Sequence, residues 1–287
     1  MRSFERAISE GANALELDVC VTSDEHVVVW HDESPFEWRA RFRQLGLEPV
    51  VRFRPVVPSD RRFLRPVSEL SLCELRAHFG YATGVSGRVP GSDIPTLDEF
   101  FAWTSRKEEL GLVFFDVKVP AEREDLLRVL VREVDEHIHR HGARFRVVYE
   151  SASSSAAGVL ARLASGHAHT LDVEPPAGVV TDIDACSAVR AAIGHGLCVA
   201  SPQRPRGITL FPFETHRRIV QRDIDRMQRH NASVPRTPLE GICAFTINRP
   251  REMRELVELG VWAVQSDRPA LLRSTALSCG RVLAVPH

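Results

Sequence analysis

Long apolar stretches, an excess of one charge and closely paired cysteines are all missing from this sequence. No hydrophobic run approaches the roughly 20 residues that cross a bilayer, so we predict no transmembrane segment. Acidic and basic residues nearly balance, with a net charge of −1. The chain therefore lacks the overall basic field that grips nucleic acid, and we expect no nucleic-acid partner.

The opening residues 1–6 do not contain the apolar core of a secretory signal. A cytoplasmic location is therefore predicted, with secretion as the alternative if a signal peptide precedes Met1. The six cysteines are widely spaced and include no CxxC pair. We interpret them mostly as small buried hydrophobic residues in a reducing compartment, with one disulfide bridge as the alternative.

The composition is that of a globular protein, with 44% hydrophobic and 26% charged residues. A chain of 287 residues suits one large domain or two ordinary ones. Short internal repeats and low-complexity linkers are missing as well. We therefore predict a single domain over residues 1–287, with an insertion at 33–95 and an irregular extension at 174–238.

Short β-rich runs alternate with longer helical runs along the chain. This alternation predicts an α/β fold with parallel strands and helical crossovers. The seven predicted strands are residues 14–21, 27–30, 112–119, 145–149, 169–173, 242–247 and 261–265. The predicted helices are residues 3–10, 96–107, 121–141, 153–164, 214–229, 250–259 and 270–277. Eight strands would close a TIM-type (β/α)8 barrel, and a doubly wound open sheet is the alternative.

Acidic residues recur at the ends of predicted strands. Side chains alternate between the two faces of a strand, so Glu16 and Asp18 share one face. Asp116 and Lys118 repeat this arrangement on the strand 112–119. The strand 27–30, which lies between these two strands in the sequence, is followed by His31 and Asp32. In a barrel these side chains would point inward near the carboxyl ends of the strands, where such folds carry out chemistry.

Three converging carboxylates repel one another unless a cation lies among them. A hard divalent ion with oxygen ligands solves this problem, and Lys118 adds a further positive charge. Such a site is built for an anion, most commonly phosphate, and His31 can donate or accept a proton there. The alternative for each motif alone is structural: a solvated or salt-bridged Glu-x-Asp pair, and a His-Asp turn.

The motifs together resemble those of the glycerophosphodiester phosphodiesterase family. Each phrase is weak by itself, but the phrases occur in family order and cover most of the chain outside residues 174–238. They are Gly11-Ala-Asn with Glu16-x-Asp18, His31-Asp32, Ile94-Pro-Thr-Leu-Asp-Glu-Phe100, Phe115-Asp-Val-Lys118, Thr246-x-Asn248 and Gly260-Val-x-x-Val-x-Ser-Asp-x-Pro269.

This resemblance implies a TIM barrel with an inserted segment at 33–95 and a role in lipid metabolism. It implies a calcium or magnesium ion held by Glu16, Asp18 and Asp116, with His31 as one of two catalytic histidines and Lys118 on the phosphate. The family cleaves glycerophosphodiesters to glycerol 3-phosphate and an alcohol. The implied partner is a small glycerophosphodiester or a lysophospholipid-like molecule.

The chain departs from the family at its start. Family members begin with a strand that ends in His-Arg-Gly and supplies the other histidine, whereas this sequence opens inside the first helix. We therefore expect the first strand to be missing and turnover to be impaired. Three explanations stay open: a truncated enzyme, a degenerate member that binds without efficient turnover, or residues 281–287 filling the slot with His287.

Two rival functions are kept. A sphingomyelinase D-like phospholipase resembles this family and shares the Phe-Asp-x-Lys phrase, and a non-catalytic phosphodiester-binding protein is the rival from another class.

The histidines of His137-x-His139-x-His141 end a predicted helix. Because residues two apart on a helix do not face each other, this motif does not predict a metal site.

Overall fold

The computed structural model of the protein describes residues 1–46, 53–83, 89, 93–173, 187–202 and 212–281. Contacts group the chain into two compact units. The first unit holds Met1–Glu16, Glu108–Phe115 and the chain from Arg144 onward. The second holds Leu17–Lys107 and Asp116–Ala143. A single domain over residues 1–287 stays a prediction.

Strands and helices alternate through most of the described chain. The strands are β1 Ala14–Val21, β2 Val27–Val29, β3 Phe53–Val56, β4 Gly80–Thr83, β5 Leu112–Val117, β6 Arg146–Ser151, β7 Ala168–Val173, β8 Val199–Pro202, β9 Gly241–Ala244 and β10 Ala263–Val264. The helices are α1 Arg2–Ser9, α2 Trp38–Gln44, α3 Leu72–His78, α4 Leu97–Thr104, α5 Glu124–His141, α6 Ser154–Leu163, α7 Ala188–His195, α8 Pro212–Ser233, α9 Pro250–Leu259 and α10 Pro269–Ser278. Among the described helices, none has the length and apolarity of a membrane span.

The main sheet has eight strands in the order β10-β9-β8-β7-β6-β5-β1-β2. The pairs from β6 to β10 are parallel, as the alternating pattern predicts. Strand β2 differs from these pairs and lies antiparallel to β1. Only residues 22–26 connect these two strands, and a parallel pair needs a crossover of a dozen residues or more.

Strand β8 is the strand of the described main sheet that the sequence pattern did not reveal. It lies in the segment 174–238, where the sequence predicted only one helix. The described part of that segment also contains helix α7 and the longer helix α8. Residues 174–186 and 203–211 lie outside the described residues, as do residues 282–287, on which the hypothesis about His287 depends.

The predicted alternation along β1 is confirmed by burial. Leu15, Leu17 and Val19 are buried, whereas Glu16 and Asp18 keep part of their surface exposed. Burying three aliphatic side chains contributes roughly 1.5–3 kcal/mol for each of them. This apolar face fixes the orientation of the strand and therefore fixes the face on which its two carboxylates lie.

The described part of segment 33–95 has regular structure and shares an apolar core with β1 and the end of β2. Strands β3 and β4 form a two-stranded antiparallel sheet. Around it lies a buried cluster that includes Trp30, Leu75 and Phe79, with the ring centroids of Trp30 and Phe79 6.1 Å apart. Because Trp30 directly precedes His31, this cluster anchors the end of β2 on which the predicted histidine lies.

The start of helix α4 is also tied to this region. Thr96 and Glu99 form a capping box at the predicted start of this helix: the side chain of Thr96 accepts from the backbone of Glu99, and Glu99 accepts from the backbone of Thr96. The backbone nitrogen of Val29 donates to the carbonyl of Pro95 over 2.8 Å. Helix α4 therefore begins against the strand that leads to His31.

The five cysteines among the described residues, Cys20, Cys73, Cys198, Cys243 and Cys279, are free thiols. Cys20 and Cys243 are fully buried, and burial is the main cause that raises the pKa of each thiol. These two behave as small hydrophobic residues, as predicted. Cys73 is exposed instead.

His169 on β7 makes the stability of the fold sensitive to acid. Its side chain is almost fully buried and stacks on Tyr149, and burial lowers the pKa of His169 to about 4. The unfolded chain holds this histidine near its ordinary value of about 6.5. The corresponding stability is therefore complete above pH 6.5 and is lost as the pH falls through 4.

We expect this histidine alone to remove about 3 kcal/mol of unfolding free energy over that range. His169→Gln should flatten this part of the pH profile, whereas His139→Gln, at an exposed position, should leave it unchanged. Urea denaturation at several pH values from neutral to acidic measures the difference. Equal acid sensitivity in His169→Gln and the parent protein would contradict the assignment.

Candidate active site

Lys118 joins the two aspartates that the sequence places at strand ends. Its Nζ lies 3.0 Å from Oδ1 of Asp18 and 2.5 Å from Oδ2 of Asp116. The backbone nitrogen of Lys118 donates to the carbonyl of Val19 over 3.0 Å, which fixes the end of β5 beside β1. The predicted convergence of Asp18, Asp116 and Lys118 is therefore present within the second unit.

Lys118 stays charged although its side chain is largely buried. The side chain of Lys118 is 20% exposed, and burial by itself lowers the pKa of an ammonium group. The carboxylates of Asp18 and Asp116 outweigh this effect and raise the pKa of Lys118 well above its usual value. The lysine therefore stays charged, and it neutralises part of the repulsion between the two aspartates.

His31 is oriented by a neighbouring carboxylate. Its Nδ1 lies 3.0 Å from Oδ1 of Asp32. Burial tends to raise the pKa of Asp32, but hydrogen bonds from His31 and Arg43 outweigh it and lower that pKa. An ionised carboxylate only accepts hydrogen bonds, so the proton of this contact belongs to Nδ1. The other ring nitrogen, Nε2, is then available for proton transfer.

Arg43 on α2 is a site residue that sequence reasoning did not identify. It donates to Oδ1 of Asp32 from Nε over 3.0 Å and also from Nη2. Eleven residues separate the two side chains, and α2 lies within the segment interpreted as an insertion. No local spacing signals this contact, so only the folded chain reveals the relay of Arg43, Asp32 and His31.

The relay faces the lysine–aspartate group. Nε2 of His31 lies 3.7 Å from Oδ1 of Asp18, and the His31 side chain is 42% exposed. A small molecule can therefore reach a ring nitrogen that is held beside a lysine and two carboxylates. Glu33, two residues after His31, is buried and accepts from the backbone of Ser68 over 3.1 Å. This hydrogen bond fixes the loop after His31.

Glu16 lies two residues before Asp18 on β1. Within the first unit, burial is the main cause of the raised pKa of Cys243, and the charges of Glu150, Asp172 and Glu16 add to it. Glu150 is almost fully buried and accepts from Nε2 of Gln265 over 3.2 Å. Sequence reasoning gave no role to Glu150 or Asp172.

The predicted metal ligands of the second unit fit a divalent ion. Within the second unit, Asp18 and Asp116 each offer a carboxylate oxygen, and these two oxygens lie within 4.8 Å of each other. Calcium–oxygen distances of roughly 2.3–2.6 Å allow two ligands on one ion to lie up to about 5 Å apart. Carboxylate oxygen is also the donor that calcium and magnesium prefer. Both the spacing and the chemistry of the donors therefore suit such an ion.

An α/β fold that presents carboxylates, a lysine and a carboxylate-held histidine at its strand ends is that of a hydrolase for an anionic ester. The comparisons with known proteins agree. The sequence model of the glycerophosphoryl diester phosphodiesterase family matches residues 1–271. This chain belongs to that family, as the sequence motifs predicted, and the prediction that it is an enzyme of this class is confirmed.

Solved structures with the same fold come from several bacteria. A Silicibacter pomeroyi protein assigned as a glycerophosphoryl diester phosphodiesterase is 18% identical, with a TM-score of 0.66 over 99% of this chain and 90% of its own. A Parabacteroides distasonis glycerophosphodiester phosphodiesterase is 16% identical, with a TM-score of 0.63 over 98% and 90%. An Oleispira antarctica phosphodiesterase, solved with the product sn-glycerol-3-phosphate, is 16% identical, with a TM-score of 0.58 over 95% and 89%.

These likenesses confirm the predicted fold class, an α/β fold of the TIM-barrel type. At such low identity they establish the fold alone. No functionally curated protein matches the sequence.

Proposed function

We propose that this protein hydrolyses small glycerophosphodiesters, or lysophospholipid-like molecules, to glycerol 3-phosphate and an alcohol. The observation that carries the proposal is the accessible Nε2 of His31, held by Asp32 and 3.7 Å from Asp18. Family membership supplies the reaction class. The Oleispira antarctica phosphodiesterase bound to sn-glycerol-3-phosphate supports the identity of the product.

Glu16, Asp18 and Asp116 are proposed to hold a calcium or magnesium ion. When bound, such an ion supplies positive charge that stabilises negative charge on the phosphate and polarises a nearby hydroxyl group. Lys118 adds a cation that stays charged, and we propose that it helps to hold the substrate phosphate. Its pairing with Asp18 and Asp116 keeps this cation at the strand ends, where the phosphate would bind.

His31 is proposed as the general acid. Nε2 donates a proton to the oxygen of the leaving alcohol, while Nδ1 keeps its hydrogen bond to Asp32. The charge that the ring carries before the transfer is stabilised by the Asp32 carboxylate. Slow turnover is part of the proposal because no His-Arg-Gly phrase occurs in the 287 residues, so the printed sequence lacks the family's second histidine.

Product analysis tests the proposed reaction. Purified protein is incubated with glycerophosphocholine and either Ca²⁺ or Mg²⁺, and glycerol 3-phosphate is followed by an enzyme-coupled assay. Release of glycerol 3-phosphate supports the proposal. A cyclic phosphate formed from choline lipids supports the sphingomyelinase D-like alternative. Tight calorimetric binding without any product supports a non-catalytic binding protein. The cytoplasmic location stays a prediction.

Arg43 is expected to act as a positioning residue. Arg43→Ala removes the hydrogen bonds that hold Asp32 and should lower kcat about 10-fold with little change in KM, as losses of outer partners do at comparable sites. Arg43→Lys should recover part of the rate because it keeps the charge. Arg41→Ala, an exposed position on the same helix, is the matched control. If Arg41→Ala and Arg43→Ala lowered kcat equally, the relay would have no catalytic role.

A further inference from the structure

Two histidines on helix α5 form a group with an aspartate on α4, outside the site described above. His137 and His141 are four residues apart and therefore lie on the same face of the helix. In the motif His137-x-His139-x-His141, neighbours two residues apart point in different directions, and the prediction of no metal site rested on these neighbours. The pair four residues apart shares a face, and only the packing of α4 places Asp98 beside it.

One oxygen of Asp98 lies close to a ring nitrogen of both histidines. Oδ1 of Asp98 lies 3.3 Å from Nδ1 of His137 and 2.9 Å from Nε2 of His141. One ligand atom from each of the three residues falls within 4.8 Å of the others. Ligands on one zinc ion, at roughly 2.0–2.2 Å from the metal, are separated by about 3–4 Å, so small side-chain rotations suffice for shared coordination.

The rings are held in place by neighbours on the same two helices. The Phe101 ring stacks on both imidazoles, with centroids 5.6 Å from His137 and 6.4 Å from His141. Nε2 of His137 lies 3.5 Å from Oε2 of Glu133. A histidine that binds a metal through one nitrogen usually donates the other to a carboxylate, and Glu133 occupies that outer position.

The exposure of the group leaves room for a solvent ligand. The side chains of His137 and His141 are 5% and 19% exposed, whereas Asp98 is 54% exposed. One histidine is therefore buried, and the carboxylate lies at the surface. Arg140 lies 3.4 Å from Asp98, but exposed ion pairs of this kind contribute at most about 1 kcal/mol, so an incoming divalent ion can displace it.

We propose that Asp98, His137 and His141 form a binding site for a divalent transition metal ion of borderline softness, with Zn²⁺ as the reference case. Two imidazole nitrogens and one carboxylate oxygen suit Zn²⁺, whereas Ca²⁺ and Mg²⁺ select oxygen ligands. The site therefore differs in chemistry from the carboxylates Glu16, Asp18 and Asp116. A bound ion would link α4, whose first residues contact β2, to the end of α5.

Calorimetric titration with Zn²⁺ in excess Mg²⁺ tests the proposal, because Mg²⁺ occupies oxygen-only sites. His141→Ala and Asp98→Asn should each weaken Zn²⁺ binding at least about 100-fold, since even outer partners cost 10–100-fold at metal sites. Glu133→Gln should weaken it about 10-fold. His139→Ala removes an exposed histidine from the same helix and should leave the affinity unchanged.

Two further measurements guard against misfolded variants. Co²⁺ in place of Zn²⁺ should give the visible absorption of a four-coordinate site in the parent protein and in His139→Ala, but not in His141→Ala. Zn²⁺ should raise the Tm of the same two proteins, by ligand linkage, and not that of His141→Ala. The proposal is overturned if the parent protein does not bind Zn²⁺, if His141→Ala and His139→Ala bind equally, or if Asp18→Asn alone abolishes binding.

Discussion

His31→Ala is expected to lower the rate of glycerophosphodiester hydrolysis by about 10²–10⁴-fold, the usual contribution of a positioned acid or base. The physical reason is that Nε2 of His31 is the ring nitrogen beside the lysine–aspartate group. The methyl side chain of alanine has no proton that it could donate in place of Nε2. KM should change little, because the substrate phosphate is proposed to be bound by Lys118 and the metal ion. Initial rates over a range of substrate concentrations measure both parameters.

His26→Ala is the matched control for this change. His26 lies in the turn of the same hairpin and is half exposed, with its Nδ1 3.4 Å from Asp24. Its removal perturbs the hairpin without touching the relay, so the rate should stay close to that of the parent protein. If hydrolysis survived His31→Ala unaltered while the fold was intact by circular dichroism, His31 would have no catalytic role.

Asp18→Asn is expected to lower the activity at least about 100-fold and to abolish its dependence on Ca²⁺ or Mg²⁺. Asp18 contacts Lys118 and is a proposed metal ligand, so one substitution removes a carboxylate proposed for the metal and a partner of the lysine. In the parent protein, EDTA should stop the reaction and either ion should restore it. Rates measured against metal concentration for both proteins make this comparison.

Asp125→Asn makes the same chemical change at a surface ion pair with Arg123. It should keep both the rate and the metal dependence of the parent protein. If the parent protein stayed active in EDTA, the proposed metal would be contradicted. The role of His31 would not be affected, because the His31→Ala experiment tests it separately. Full activity in Asp18→Asn would remove Asp18 from the site.

Local patterns predicted the parts of the fold that depend on near neighbours. The alternation in β1 predicted which side chains are buried, because a strand with one apolar face has only one favourable orientation. The Thr96–Glu99 capping box predicted the start of α4. Strand β8, Val199–Pro202, was missed because it has a single β-branched residue and ends in Ser and Pro, which are typical of turns.

Some residues of the candidate site could likewise be predicted from local patterns, and others could not. Glu16, Asp18, Asp116 and Lys118 were predictable because each strand sets its own alternation, and strand ends meet at one edge of a parallel sheet. The contact from Arg43 to Asp32 was not predictable, since it depends on how α2 packs within segment 33–95. The group of Asp98, His137 and His141 likewise needs two helices side by side.

By itself, the sequence determined the family and the fold class, and it predicted the carboxylates, histidine and lysine of the candidate site. These follow from motifs and periodicities that act over a few residues. Only the tertiary structure decided that Arg43 holds Asp32 and that α4 and α5 bring Asp98 to two histidines. Such contacts join residues distant in the chain, and the packing of whole elements decides which side chains meet.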